Sequence, residues 1–340
     1  MATTLLACAL ILASVAIVSW TAGAIYYDLF HGNVNGRLAA IAWTVAWLIA
    51  FALWRPLWAP FCLLVVVSAS IVLWWRTLRP SQTRRWDPYF SQTARICLNG
   101  DTLTFDGLRS SDYRALGDGS PRFETRTCSL SKLGGVDVLI LTWGSSLMSH
   151  PMFVFDFGAE GRICISIEVR YREGQPFSFV RSLYRQQELM YVVSDERDAI
   201  LRRTKFLSGH DLYLYHLRLD DIASRQFFLE YATSVNALAN EPRWYHGLTT
   251  NCTTSIYAQG RGHMRWDWRM LFNGSLDRLL YDRRLLDQRL PFADLKNLSW
   301  INDIANEAPQ EGFGDFLRER LPGYALAHAT APTAEKVEHS

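Results

Sequence analysis

The stretch "HPMFVFDFGAEGRICISIEVRY", residues 150–171, decides how the soluble part of this chain folds. Two apolar runs rich in β-branched and aromatic residues flank Gly158 to Gly161, a turn built from the residue type that tolerates tight backbone best. The pattern predicts an antiparallel hairpin. Counting outward from the turn, His150 and Glu168 lie at nearly the same distance from it, which would make them cross-strand neighbours. Glu168 interrupts a run that otherwise reads as buried. A carboxylate there either orients an imidazole or pairs with Arg170 or Arg172.

Further strands flank the hairpin. "RICLNGDTLTFDGLRSS" (95–111) carries an Asn-Gly-Asp turn between alternating segments, and "GGVDVLILTWGSS" (134–146) and "DLYLYHLRL" (211–219) read as extended. The period then changes. "DIASRQFFLEYATSVNALAN" (221–240) spaces its apolar residues as a helix does, behind a cap at Asp220 or Asp221. Residues 96–324 therefore read as one α+β domain with an antiparallel sheet and packed helices, and 325–340 as a disordered tail.

The first 78 residues differ sharply. "LLACALILASVAIVSWTAGAIYY" (5–27), "LAAIAWTVAWLIAFALW" (38–54) and "LWAPFCLLVVVSASIVLWW" (57–75) contain no charge, and the first is long enough for a hydrocarbon core of about 30 Å. The first run lacks a basic leader and exceeds the apolar core of a signal peptide, so three transmembrane helices are expected. Tryptophans at their ends suit the membrane interface. Residues 79–95 form a linker, and Arg76, Arg79, Arg84 and Arg85 suit contact with anionic headgroups. By the positive-inside rule those arginines favour a cytoplasmic domain, a bias that a long following domain can override. With 35 Lys and Arg against 33 Asp and Glu, and no basic stripe, nothing points to nucleic acid.

Chemistry is concentrated in "EPRWYHGLTTNCTTSIYAQ" (241–259). Thr249, Thr250 and Asn251 are residues favoured just before a helix, and "CTTSIYAQG" reads as a short helix closed by Gly260. Cys252 would then sit near a helix N-terminus, where a thiolate is favoured; the alternative is a small buried hydrophobe. A thiol nucleophile needs a base. His31, His328 and His339 lie in a membrane-proximal loop or the tail, and His210, His216, His246 and His263 have no special setting. His150 begins a rigid strand after a polar turn, and Trp143, Ser145 and Ser146 on that turn either line a pocket or simply turn the chain. Cys8 and Cys62 lie in spans as packing residues; Cys97, Cys128 and Cys164 are expected in the core. No CxxC pair or His/Cys cluster suggests zinc, and no cofactor is expected.

"WGSSLMSHPMFVFDFGAEGRICISIEVRYREGQ", "YVVSDERDAI", "WYHGLTTNCTTSI" and "WDWRMLFNGSLDRLLYDRRLLD", in that order, resemble the lipoprotein N-acyltransferase (Lnb) N-terminal periplasmic domain family. The likeness runs from about Leu130 to Asn302. It implies a Cys–His site at Cys252 and His150, with Glu168 as third member, and a fold distantly similar to permuted papain-like (NlpC/P60) acyltransferases. It also implies acyl transfer within bacterial lipoproteins at the inner membrane, with phospholipid or lipoprotein as partner and the domain in the periplasm. Members described by the resemblance place the catalytic domain first; here three spans precede it. A membrane-tethered thiol hydrolase and a non-catalytic lipid-binding module are the alternative readings. Asn251 and the Cys252 backbone would supply an oxyanion site. "WDWR" (Trp266 to Arg269) is either an aromatic lip at the membrane or packing beneath the Cys252 helix, while Arg269, Asn273 and Asp277 share a helix face.

Overall fold

The computed structural model describes residues 2–81, 83–115, 118–143, 148–207, 209–247 and 273–324. It divides into two compact units, one of Met1–Arg84 with Gly174–Glu188 and Pro242–Leu248, the other of Arg85–Glu173, Leu189–Glu241 and Thr249–Ser340.

Among the described residues, three helices of the first unit are long and apolar enough to cross a membrane: Thr4–Leu29, Val34–Leu53 and Trp58–Thr77. The first is α1 (Ala2–Ala24) extended by a wider turn at Ile25–Leu29; the others are α2 and α3. Asn33 starts α2 by accepting the Gly36 amide on its side chain at 2.9 Å, satisfying an N–H that the helix itself leaves without a partner. Polar side chains stitch the apolar helices together. Trp43 Nε1 on α2 donates to Thr21 Oγ1 on α1 at 2.9 Å, and Trp75 Nε1 on α3 donates to the buried Asp28 at 2.7 Å. Such interhelical bonds join helices whose facing surfaces are otherwise apolar. Cys8 and Cys62 face outward from these helices.

The second unit is built on a mixed sheet of eight strands among the described residues, in the order β1-β2-β9-β8-β7-β6-β10, with β5 also paired to β2. The strands are β1 (Arg95–Asn99), β2 (Thr102–Arg109), β5 (Phe123–Ser129), β6 (Gly135–Thr142), β7 (Ser149–Asp156), β8 (Arg162–Arg170), β9 (Glu188–Asp195) and β10 (Asp211–His216); β3 (Asp112–Ala115) and β4 (Asp118–Ser120) pair apart from it. The expected β1–β2 hairpin is present, with Leu98 opposite Leu103 and Gly100 in the left-handed region at φ +61°. The β7–β8 hairpin turns at Gly158–Gly161 as read, with Gly158 and Gly161 at φ +61° and +107°.

Both faces of the central strands are covered, which is why β7 is continuously apolar rather than alternating. Helix α5 (Asp221–Asn240) begins at Asp220, whose carboxylate accepts the Ala223 amide at 2.7 Å. It lays Phe227, Phe228 and Tyr231 on Phe153, Phe155 and Phe157, with ring centroids 5.0–5.9 Å apart. On the other face Leu139, Met152, Val154 and Cys164 join a core with Ile200 and Leu201 of α4 (Glu196–Leu201) and with Ile301, Ala305, Phe313 and Leu317 near the C-terminus. Cys164 lies in this interior and Cys128 is buried on β5, as expected. Cys97 does not: β1 turns Ile96 inward at 3% exposure, and the two-residue period leaves Cys97 on the solvent side opposite Thr104.

Two buried ion clusters join sheet to helices. Arg109, 1% exposed, donates through Nη2 and Nε to Asp198 Oδ1 at 2.7 and 2.8 Å, while Asp198 Oδ2 accepts the Ser111 amide at 2.9 Å. Arg318 bridges Asp137 and Glu196, and Asp137 also accepts from His216 Nδ1 at 2.7 Å. Removing one partner from such a pair strands a buried charge and costs about 3–5 kcal/mol.

Candidate active site

Directly opposite residues on antiparallel strands share one face, and the register of β7 and β8 sets Met152 against Ser166 and Val154 against Cys164. Two residues further from the turn, His150 meets Glu168. The expected juxtaposition is present: His150 Nε2 lies 3.3 Å from Glu168 Oε1. Ser166 sits between them, donating its hydroxyl to Glu168 Oε1 at 2.7 Å and lying 2.9 Å from His150 Nε2. With that hydroxyl proton committed to the carboxylate, Ser166 Oγ is left to accept from a protonated His150 Nε2.

Glu168 is held by a second group that the sequence reading missed. Its expected alternative partners were Arg170 and Arg172, but Arg203 donates to Oε1 instead. Arg203 is reached through α4, capped by Asp195 accepting the Asp198 amide at 2.7 Å, and lies in the wider turn Arg202–Phe206 that follows. Its Nη1 donates to the Ala199 carbonyl at 2.9 Å, so the guanidinium is fixed from both sides. Arg170 serves elsewhere, donating to the carbonyls of Phe90 and Ser91 at 2.9 Å.

Burial of Glu168 opposes its ionisation, but the charges of His150 and Arg203 and the hydrogen bonds from His150 and Ser166 outweigh it and hold the carboxyl well below the usual carboxylate range. The group is thus an anion whenever the domain is folded near neutral pH, suited to orient and stabilise an imidazolium. Because its folded-state pKa lies below that of the unfolded chain, its stabilising contribution is fully present above about pH 4.3. It fades as pH falls through the lower folded value. The stability gap between wild type and Glu168→Gln, measured by urea titration, should therefore be full at about pH 6 and shrink toward about pH 3.

The other expected site residues divide clearly. Trp143 follows β6, 40% exposed, with its ring edge-on to His210 at 6.4 Å between centroids. Ser145, Ser146, Asn251 and Cys252 lie outside the described residues, as do His263, Trp266 to Arg269 and the tail. Asp277 is buried and accepts from Lys296 Nζ at 2.7 Å, in keeping with a structural role. His246 belongs to the first unit, where burial pushes its pKa down despite a hydrogen bond to Leu183. Ser166 was within reach of sequence reasoning, since the strand period puts it on the same face as Glu168. Arg203 was not, being 35 positions away with no local signal.

No curated protein matches the chain, and no solved structure matches it. A family model does. Residues 120–267, the stretch that includes His150, Ser166, Glu168, Arg203 and Cys252, match the model of the Lnb N-terminal periplasmic domain.

Proposed function

We propose that this chain is a membrane-anchored acyltransferase in which Cys252 carries an acyl group as a thioester, with His150 as its base and Glu168 as the group that orients His150. The observation that carries the reading is the cross-strand placement of His150 and Glu168, 3.3 Å apart, inside an Lnb-family segment. Nδ1 of His150 takes the thiol proton, and the thiolate attacks an ester carbonyl of a lipoprotein or membrane lipid. The C–S bond forms, the C–O bond breaks, and His150 returns the proton to the departing alkoxide. An amine then attacks the thioester, forming C–N and releasing the thiol; water in its place would make the same site a hydrolase. The Cys252 backbone N–H and Asn251 side chain would steady the oxyanion, and Trp143, Ser145 and Ser146 would line the pocket.

An Lnb domain beside three apolar helices supports a membrane protein with its domain in the periplasm, here of the bacterial inner membrane. On this reading an alkaline phosphatase fused after Tyr324 is active and a fluorescent-protein fusion there is dark. A thiol-directed reagent separates the enzyme from a non-catalytic binding module. Cys252 should alkylate fastest among the six cysteines, at a rate that falls in His150→Ala. Equal reactivity of Cys252 and the exposed Cys97 would favour the binding module.

A further inference from the structure

The chain leaves β8 at Arg170 and enters Gly174–Glu188, a loop that clusters with the membrane helices. Tyr184 anchors it. Its ring stacks on Tyr27 at 5.0 Å and on Trp20 at 6.4 Å between centroids. Gly23 makes the room, since a Cβ there would fall 1.8 Å from the Tyr184 oxygen. Beside it, Gln186 Nε2 and the Arg185 amide donate to Asp28 at 2.6 and 3.3 Å, and the Arg185 guanidinium lies 4.2 Å over the Trp75 ring. Trp20 precedes the end of its helix at Leu29 by nine residues, about 13 Å along the axis at roughly 1.5 Å per residue. Tyr184 is therefore seated below the end of the first span, and Arg185 and Gln186 beside that end.

On the same loop, three large apolar side chains stand in solvent within four positions: Phe177 at 49%, Phe179 at 42% and Val180 at 50% exposure. Arg76 and Arg79 stand exposed at the end of α3 beside the Arg185 anchor, whose guanidinium donates to the carbonyls of Arg76 and Leu78. Exposed apolar residues on a loop anchored at a span's end, with exposed arginines beside the anchor, fit one partner chemistry: the boundary between phosphate headgroups and acyl chains.

We propose that Gly174–Glu188 is a membrane-inserting loop that buries Phe177, Phe179 and Val180 in the headgroup–acyl boundary of the bilayer spanned by α1–α3. The loop also holds the run that leads to the nucleophile. Trp244 Nε1 donates to the Leu78 carbonyl at 3.2 Å, the Gly247 amide donates to the Ser182 carbonyl at 3.1 Å, and a Cβ on Gly247 would meet Ser182 Oγ at 2.4 Å and Phe179 at 3.0 Å. This segment ends at Leu248, four positions before Cys252. Insertion of the loop thereby ties Trp244 and Gly247 to the lipid surface.

The inference rests on the helices being embedded, and not on acyl transfer. Full-length protein carrying benzoylphenylalanine in place of Phe177, Val180, Leu63 on α3 or Ile222 on α5 is reconstituted in vesicles of phosphatidylcholine and phosphatidylglycerol and irradiated. Phospholipid adducts on the chain are then read by mass spectrometry. Positions 177 and 180 should give lipid adducts as Leu63 does, with none at Ile222. Adducts at Leu63 with none at 177 and 180 would overturn the inserting loop and leave the acyltransferase reading intact. Absence of adducts at Leu63 as well would overturn the embedding itself.

Discussion

Cys252→Ala is expected to keep the melting temperature of the wild-type protein and to lose acyl transfer by a factor on the order of 10⁴ or more, because no other group can carry the acyl chain. The two buried thiols are poor substitutes. Burial pushes the Cys128 thiol up to about 11 and that of Cys164 higher still, so neither supplies thiolate near neutral pH. Cys128→Ala and Cys164→Ala should do the opposite of Cys252→Ala. Each empties part of a packed interior, lowering stability by about 1–2 kcal/mol with turnover per folded molecule unchanged. Turnover assays on a diacyl lipoprotein, paired with thermal melts, separate the two behaviours. Wild-type turnover by Cys252→Ala would remove the thioester from the account.

His150→Ala should be nearly as damaging, by roughly 10²–10⁴ in kcat, and its residual activity should carry a distinct pH signature. Without the imidazole, thiolate forms only as the solution deprotonates it, so the remaining rate should climb with pH through the ordinary cysteine range near 8.5, where the wild-type profile is already flat. Ser166→Ala, which removes the hydroxyl between the ring and Glu168, should show a smaller fall in kcat with little change in KM. A flat residual profile in His150→Ala would reassign the base, with His246 and His263 as the next candidates.

The β7–β8 hairpin was legible because its signals are local: a glycine-bounded turn fixes register, and register alone places His150 opposite Glu168. The Asp220 cap and the β1–β2 turn were legible for the same reason. Cys97 was misjudged because an apolar strand does not say which of its two faces is covered; β1 lies at the sheet's edge and packs with Ile96. Arg203 was invisible because its contact with Glu168 depends on how α4 lies across the sheet, a tertiary fact with no counterpart in spacing. The membership of Gly174–Glu188 and Pro242–Leu248 in the first unit was equally hidden. It rests on single side chains meeting across more than a hundred positions, such as Gln186 with Asp28 and Trp244 with Leu78.

The most direct test of the central claim is peptide-mapping mass spectrometry of the full-length protein after brief exposure to membrane phospholipids and a diacyl lipoprotein, quenched in acid to preserve thioesters. The account predicts an acyl chain on the peptide containing Cys252, released by neutral hydroxylamine, absent from Cys252→Ala and slow to form in His150→Ala. Acyl transfer proceeding with no adduct on that peptide at any time, or with the adduct on another residue, would contradict it.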